Sequence, residues 1–262
     1  MTRVLATLIV RCSWIFAAAA LLLPAHAAAM VGGAAPANEG VGRAVAMITG
    51  SRGTFCSGVA LARDLVLTAG HCVLPGADYK LVEFDAARQP ILKAVASIAR
   101  HPDFDVTAVL RHRATADVGL LKLAAPLALS TAPLAPAGGS VTAGDQFIVV
   151  GLGLAKPGDG KSGGTVRGAS LVATGQPGTL QIRLADPASK GDRSGLGACT
   201  GDSGAPVFRD IGGTLMVIGV VSWSTGPGNS DGCGGLTGVT PLTRYRSWIV
   251  EQAARMRSPL AP

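Results

Sequence analysis

The chain has 262 residues, 48% of them apolar and only 15% charged, with 36 glycines, 16 prolines and a formal net charge of +7. The length suits one sizeable domain or two small lobes sharing a core. Lys and Arg are dispersed, apart from Arg244, Arg246, Arg255 and Arg257 near the C-terminus. The charge therefore reads as a solubilising surface with weak attraction to anions, and not as the dense basic footprint of a nucleic-acid binder.

Residues 1–29 read as an export signal. Arg3 and Arg11 give a positive start, Cys12 to Leu23 is an apolar run of about a dozen residues, and Ala25-His26-Ala27-Ala28-Ala29 offers small residues for cleavage after Ala27 or after Ala29. The run is shorter than the roughly 20 residues of a membrane span, and nothing later resembles a second one. The mature chain is thus expected to be secreted or periplasmic, with no stable membrane insertion. Removing the leader leaves 233 of the 262 residues, and because it carries Arg3, Arg11 and no acid, the formal charge falls from +7 to +5. Cys12 leaves with it, so four of the five cysteines remain. An even number in an exported chain points to two disulfides, with three pairings open.

From residue 30 onward, short apolar runs are broken by Gly, Pro, Ser and Asp, the pattern of an all-β sandwich or barrel. Strands are expected over Val45–Ile48, Phe55–Leu61, Leu65–Thr68, Lys80–Phe84, Leu92–Ala96 and Val118–Leu123. A Pro- and Ala-rich break, Ala125–Gly139, separates these from Gln146–Gly151, Thr165–Ala173, Leu180–Leu184, Pro206–Phe208, Leu215–Ser222 and Gly238–Thr240. The break divides the chain into two antiparallel β-barrels, about 30–135 and about 136–240, with a cleft between them as the natural place for a site. Thr243 to Arg257 lacks Gly and Pro, and Tyr245, Trp248, Ile249 and Met256 recur at near-helical spacing, so residues 243–257 are expected to form a docked C-terminal helix. The glycines from Gly151 to Gly164 lack the full G-x-G-x-x-G spacing of a nucleotide cradle and read as a surface loop.

Three segments carry chemistry. Leu67-Thr68-Ala69-Gly70-His71-Cys72 displays a histidine just beyond an apolar run. Asp117-Val118-Gly119-Leu120-Leu121-Lys122-Leu123 opens an apolar strand with an aspartate. Cys199-Thr200-Gly201-Asp202-Ser203-Gly204-Ala205-Pro206 sets a serine among glycines, where the backbone turns sharply and leaves amides pointing outward. A serine hydroxyl needs an adjacent base to act as a nucleophile, and imidazole can take and return its proton near neutrality. Asp103 and Asp105 lead no such strand. His101, beside Pro102, reads as a surface turn, and His112, between Arg111 and Arg113, as a solvated side chain. His71 and Cys72 are adjacent and no Cys-x-x-Cys pair completes a tetrahedral set, so no metal site is read.

In the order His, Asp, Ser, these segments resemble the chymotrypsin/trypsin family of serine endopeptidases, over nearly all of Met30 to Arg257. The resemblance implies His71 as general base, Asp117 as its orienting partner, Ser203 as nucleophile, and the amides of Gly201 and Ser203 as an oxyanion hole, with no cofactor and with protein or peptide substrates. It also implies the disulfides Cys56–Cys72 and Cys199–Cys233. Met30-Val31-Gly32-Gly33 resembles the activating N-terminus of the family, whose α-amino group pairs with the buried carboxylate at Asp202; Met30 stands where Ile or Val is usual. Ser222-Trp223-Ser224 resembles the strand that pairs with the substrate backbone. Gly197 stands where trypsin-like members carry a specificity aspartate, with Ser224 and Gly238 as small pocket walls. Ala205 replaces a second glycine after the nucleophile, and Leu152 stands where many relatives have Trp. Two rival readings are a catalytically inactive protease-like protein binding partners through the same cleft, and a heparin-type binding module resting on positive charge alone.

Overall fold

Strand pairing sorts the short apolar runs into two closed rings. The computed structural model describes residues 30–260 except 86, 88, 176 and 177; the expected leader, residues 1–29, lies outside the described residues. The first half contains β1 (Ala35–Pro36), β2 (Val45–Gly50), β3 (Phe55–Ala62), β4 (Leu65–Thr68), β5 (Tyr79–Phe84), β6 (Pro90–Arg100), a short helix α1 (Val106–Leu110) and β7 (Gly119–Leu123). The second half contains β8 (Gln146–Gly151), β9 (Arg167–Ala173), β10 (Ile182–Ala185), β11 (Pro206–Ile211), β12 (Thr214–Ser224), β13 (Thr237–Pro241) and helix α2 (Arg246–Arg255). Strands β2-β3-β4-β7-β6-β5 close one antiparallel barrel. The pairing of β8 with β9 closes β8-β9-β10-β13-β12-β11 into the other. The expected two-barrel architecture with a C-terminal helix is thus present.

The differences from the sequence-based elements have local causes. β6 runs from Pro90 to Arg100, well beyond Leu92–Ala96, because it serves two neighbours in turn. Residues 90–94 pair with β5, residues 95–100 pair with β7, and a bulge between Val95 and Ser97 makes the corner. Most of its side chains are exposed, so no hydrophobic alternation marks its ends. β1 precedes the first barrel in sequence yet pairs with β9 of the second, Ala35 opposite Gly168. Helix α2 begins only at Arg246, after a 3-10 turn at Leu242–Arg244.

Three apolar clusters hold the molecule together. Ile48, Val66, Leu81 and Leu121 fill the first barrel, and Phe147, Leu171, Leu184 and Val221 fill the second. A third cluster, with Leu65, Leu67, Leu120, Phe208, Val220 and the α2 residue Ile249, joins both barrels to the helix. This explains the continuous apolar runs within these strands, residues 65–67 in β4, 120–121 in β7, 206–208 in β11 and 215–221 in β12. In each, neighbouring residues such as Leu67 and Val66, or Val220 and Val221, bury opposite faces into different clusters.

Two disulfides brace the segments beside these strands. Cys56 of β3 bonds Cys72 in the 3-10 turn Gly70–Val73, and Cys199 bonds Cys233 across the loop after β12. The second closes a sequence separation of 34, for which chain-entropy loss in the unfolded state gives about 3 to 4 kcal/mol. Replacing Cys199 and Cys233 together by Ser is expected to lower the unfolding free energy by about that amount. Coincident denaturation curves for the oxidised protein and the variant would contradict it.

Candidate active site

Each candidate residue sits where a strand ends. β4 stops at Thr68, and the following turn projects His71; β7 starts at Gly119, two residues after Asp117; β11 starts at Pro206, three after Ser203. Tightly buried strands thus fix three loop positions from both barrels, which is how a rigid scaffold holds reactive side chains.

Asp117 is fully buried. Its Oδ1 accepts the His71 backbone amide at 2.8 Å, and its Oδ2 accepts the His71 Nδ1–H at 2.8 Å and the Ser222 hydroxyl at 2.5 Å. An ionised carboxylate can only accept, so the imidazole proton resides on Nδ1 and the Nε2 lone pair is left for another donor. His71 and Ser203 line one cleft of about 410 Å³ together with Phe55, Thr200, Gly201, Trp223 and Ser224. A cavity of equal volume beside Phe147, Ile182 and Ile218 shares none of these residues, and the guanidinium lining it, Arg209, is taken by Asp145 and the Ser140 carbonyl.

The loop around Ser203 commits most of its amides. Cys199 N–H donates to Asp202 Oδ2, Asp202 N–H to the Cys199 carbonyl, Gly204 N–H to the Val221 carbonyl and Ala205 N–H to the Asp202 carbonyl. Among the described residues, the amides of Gly201 and Ser203 make no hydrogen bond. Gly201 has φ +95°, and a Cβ there would lie 2.4 Å from the Phe55 ring; at Gly204, φ +78°, a Cβ would lie 2.1 Å from Thr68 Oγ1. Only glycine fits either place.

The carboxyl of Asp202 is fully buried and accepts the amides of Cys199 at 2.9 Å and Gly153 at 2.8 Å. Burial pushes its pKa up to about 7 against the pull of those two amides. Among the described residues it has no ion pair. Met30 is also fully buried, within the apolar cluster of the second barrel, and Val31 N–H donates to the Gly197 carbonyl at 3.2 Å. The segment before β1 therefore runs beside the loop that leads to Asp202. The unbranched Met30 side chain fits this interior, as a flexible thioether can.

Gly197 is buried, and a Cβ there would meet Gly234 at 3.1 Å. Asp192 and Asp231 are both exposed, and the buried Asp186 carboxyl accepts the amides of Ala188 and Leu196. Gly238 lies beneath the Trp223 indole, which occupies the space a Cβ would need. Its neighbour Thr237, which the sequence did not single out, is fully buried opposite Ser224 and accepts the Ala198 amide through Oγ1 at 3.0 Å. β11 ends its pairing with β12 at Val220, so beyond it Ser222, Trp223 and Ser224 keep one edge without a strand partner among the described residues.

Two histidines differ from expectation. His112 is not simply solvated: its ring stacks on Trp223 at 4.7 Å and 23°, with the Arg183 guanidinium also over that indole at 5.8 Å. His101 packs against Tyr245 and Trp248, with ring centroids at 5.0 Å in each case, and burial lowers its pKa despite the nearby Asp103. Aromatic surface from distant parts of the chain decides both placements. Cys56, His71 and Cys72 bring possible ligand atoms together, but both sulfurs are committed to a disulfide, so the donor set does not suit a metal.

A family model described as Trypsin matches residues 31–249. Coagulation factor IX of Cavia porcellus is 27% identical over 229 residues, covering 77% of this chain and 74% of that protein. The vitellin-degrading protease of Bombyx mori is 26% identical, covering 77% of each chain. Tryptase of Mus musculus is 29% identical, covering 74% of this chain and 77% of that protein. Solved structures of HBP and of human heparin binding protein match at TM-score 0.66, over 88% of this chain and 100% of theirs, with 21% and 22% identity. At that identity the structural likeness speaks for the fold.

Proposed function

The chain belongs to the trypsin family, and from that membership we propose that it is an exported serine endopeptidase acting on protein or peptide substrates through an acyl-enzyme. The observation that carries this reading is the buried Asp117 holding His71 through both its amide and its Nδ1, with Ser203 in the same cleft. His71 Nε2 takes the Ser203 proton as the hydroxyl oxygen attacks the substrate carbonyl, and Asp117 stabilises the imidazolium so formed. The amides of Gly201 and Ser203 receive the developing oxyanion. His71 then protonates the leaving amine, and a water repeats the sequence to release the acid. The substrate backbone adds along the open edge of Ser222–Ser224 as a further strand. Two disulfides suit an oxidising compartment, in keeping with removal of residues 1–29. No helix among the described residues is long and apolar enough to cross a membrane.

The side chain before the scissile bond is expected to be uncharged. Gly197 brings no carboxylate to the pocket, Asp192 and Asp231 face solvent, and the buried Asp186 carboxyl is taken by two backbone amides. Seating Lys or Arg there without a partner is costly, so kcat/KM for Arg and Lys should fall at least roughly 100-fold below that for small or medium apolar residues. Cleavage of a peptide library by the mature chain tests both statements. No cleavage of any peptide overturns the endopeptidase reading, and a profile led by Arg or Lys overturns the pocket alone.

A further inference from the structure

Ser57 lies in the middle of β3, 144 residues from the serine loop in sequence, and its hydroxyl is fully buried against that loop. The hydroxyl donates to the Gly201 carbonyl at 2.8 Å and accepts the Leu152 amide at 3.0 Å. The same residue grips the loop a second time, because its backbone amide donates to the Ser203 carbonyl at 2.8 Å. Its own carbonyl is fixed by the Thr68 hydroxyl at 2.7 Å. One side chain and one backbone thus hold both ends of the Gly201–Ser203 stretch to the wall of the first barrel.

The segment after β8 completes the arrangement. Three consecutive amides point at the loop: Leu152 reaches it through Ser57, Gly153 donates to Asp202 Oδ1 at 2.8 Å, and Leu154 donates to the Thr200 carbonyl at 2.8 Å. The two peptide planes flanking Gly201 are therefore each held by their carbonyl. Leu154 fixes the plane that carries the Gly201 N–H, and Ser57 fixes the plane that follows it. In a trans peptide the N–H points opposite to the C=O, so the Leu154 bond to the Thr200 carbonyl aims the Gly201 amide, while the Ser57 bond to the Gly201 carbonyl anchors the next plane and stops the glycine from swinging between the two. Glycine at φ +95° has wide torsional freedom of its own, and this makes an external clamp necessary if the donor is to be in place before charge develops.

We infer that Ser57 is a positioning residue for the oxyanion hole, its buried hydroxyl holding Gly201 so that the amide stabilises the transition state. It touches neither substrate nor reacting atoms. The inference rests on the endopeptidase reading and concerns how that chemistry is tuned.

Ser57→Ala and Ser57→Gly test it, each measured per active site counted by a covalent titrant, so that a partly unfolded preparation does not imitate a lower kcat. In both variants kcat should fall by about 10- to 100-fold, less than the loss on deleting an oxyanion donor outright, with KM within about 2-fold. Affinity for a peptidyl trifluoromethyl ketone, whose tetrahedral adduct places an oxyanion in the hole, should fall by the same factor as kcat/KM. A purely structural serine would lower the melting temperature and the titrated fraction while leaving kcat per site and ketone affinity unchanged, and that outcome overturns the inference. Activity in the wild type with unaffected variants leaves the endopeptidase reading standing; an inactive wild type removes that reading first.

Discussion

Ser203→Ala is expected to fold as the parent does and to lose turnover by on the order of 10⁴- to 10⁶-fold, with peptide binding retained. The hydroxyl is one small group in a half-buried position, and the loop around it is held by the Cys199, Asp202, Gly204 and Ala205 amides and by Ser57, none of which uses the Ser203 side chain. Removing it therefore deletes the nucleophile and little else. Unfolding midpoint and affinity for a non-covalent peptide ligand should stay near the parent values while kcat collapses. Parent-like turnover by this variant would remove Ser203 from the mechanism.

The second large effect concerns the N-terminus. While Met30 is joined to Ala29 it has no amine, and the buried Asp202 carboxyl, with its pKa pushed up to about 7 by desolvation, takes a proton on folding. A carboxyl whose folded pKa is raised favours the folded state at low pH, and that contribution is lost as pH rises from about 4 through about 7. Cleavage after Ala29 would release an ammonium to pair with Asp202 and hold it ionised, which removes this slope and orders the loop that carries Gly201 and Ser203. Cleavage after Ala27 leaves two extra residues that displace the charge from its partner. Protein beginning at Met30 should thus be active, and protein beginning at Ala28 lower in kcat/KM by on the order of 100-fold or more. Denaturation of the two forms, each carrying Ser203→Ala to prevent self-cleavage, should show stability falling between about pH 4 and 7 only in the form beginning at Ala28. Equal activity and parallel pH profiles would rule this pairing out.

The features legible in the sequence are those written locally. Strand ends were marked by Gly and Pro, and His71, Asp117 and Ser203 lay beside apolar runs that the structure buries on both faces. Those runs were visible; that their faces enter different clusters was not, because alternation disappears when both sides are buried. Features made by distant partners left no local trace. Ser57 looks like any small polar residue in a strand, and its role exists only because the loop at Gly201 folds against it. Thr237 likewise reads as β propensity until the Ala198 amide is placed beside it. The stacking of His112 on Trp223 joins a loop of the first barrel to a strand of the second. The extent of β6 was hidden because its side chains mostly face solvent and its ends are set by two different neighbours.

The central claim is that His71 activates Ser203. Covalent labelling of the mature chain by a fluorophosphonate probe, followed by peptide mapping, tests it most directly, because phosphonylation of a serine at neutral pH, with displacement of fluoride, requires an activating base and a formed oxyanion hole. One label per chain is expected, located on Ser203, absent in Ser203→Ala and strongly slowed in His71→Ala. A folded, disulfide-bonded chain beginning at Met30 that takes up no label would contradict the claim and leave a protease-like protein that binds without cutting.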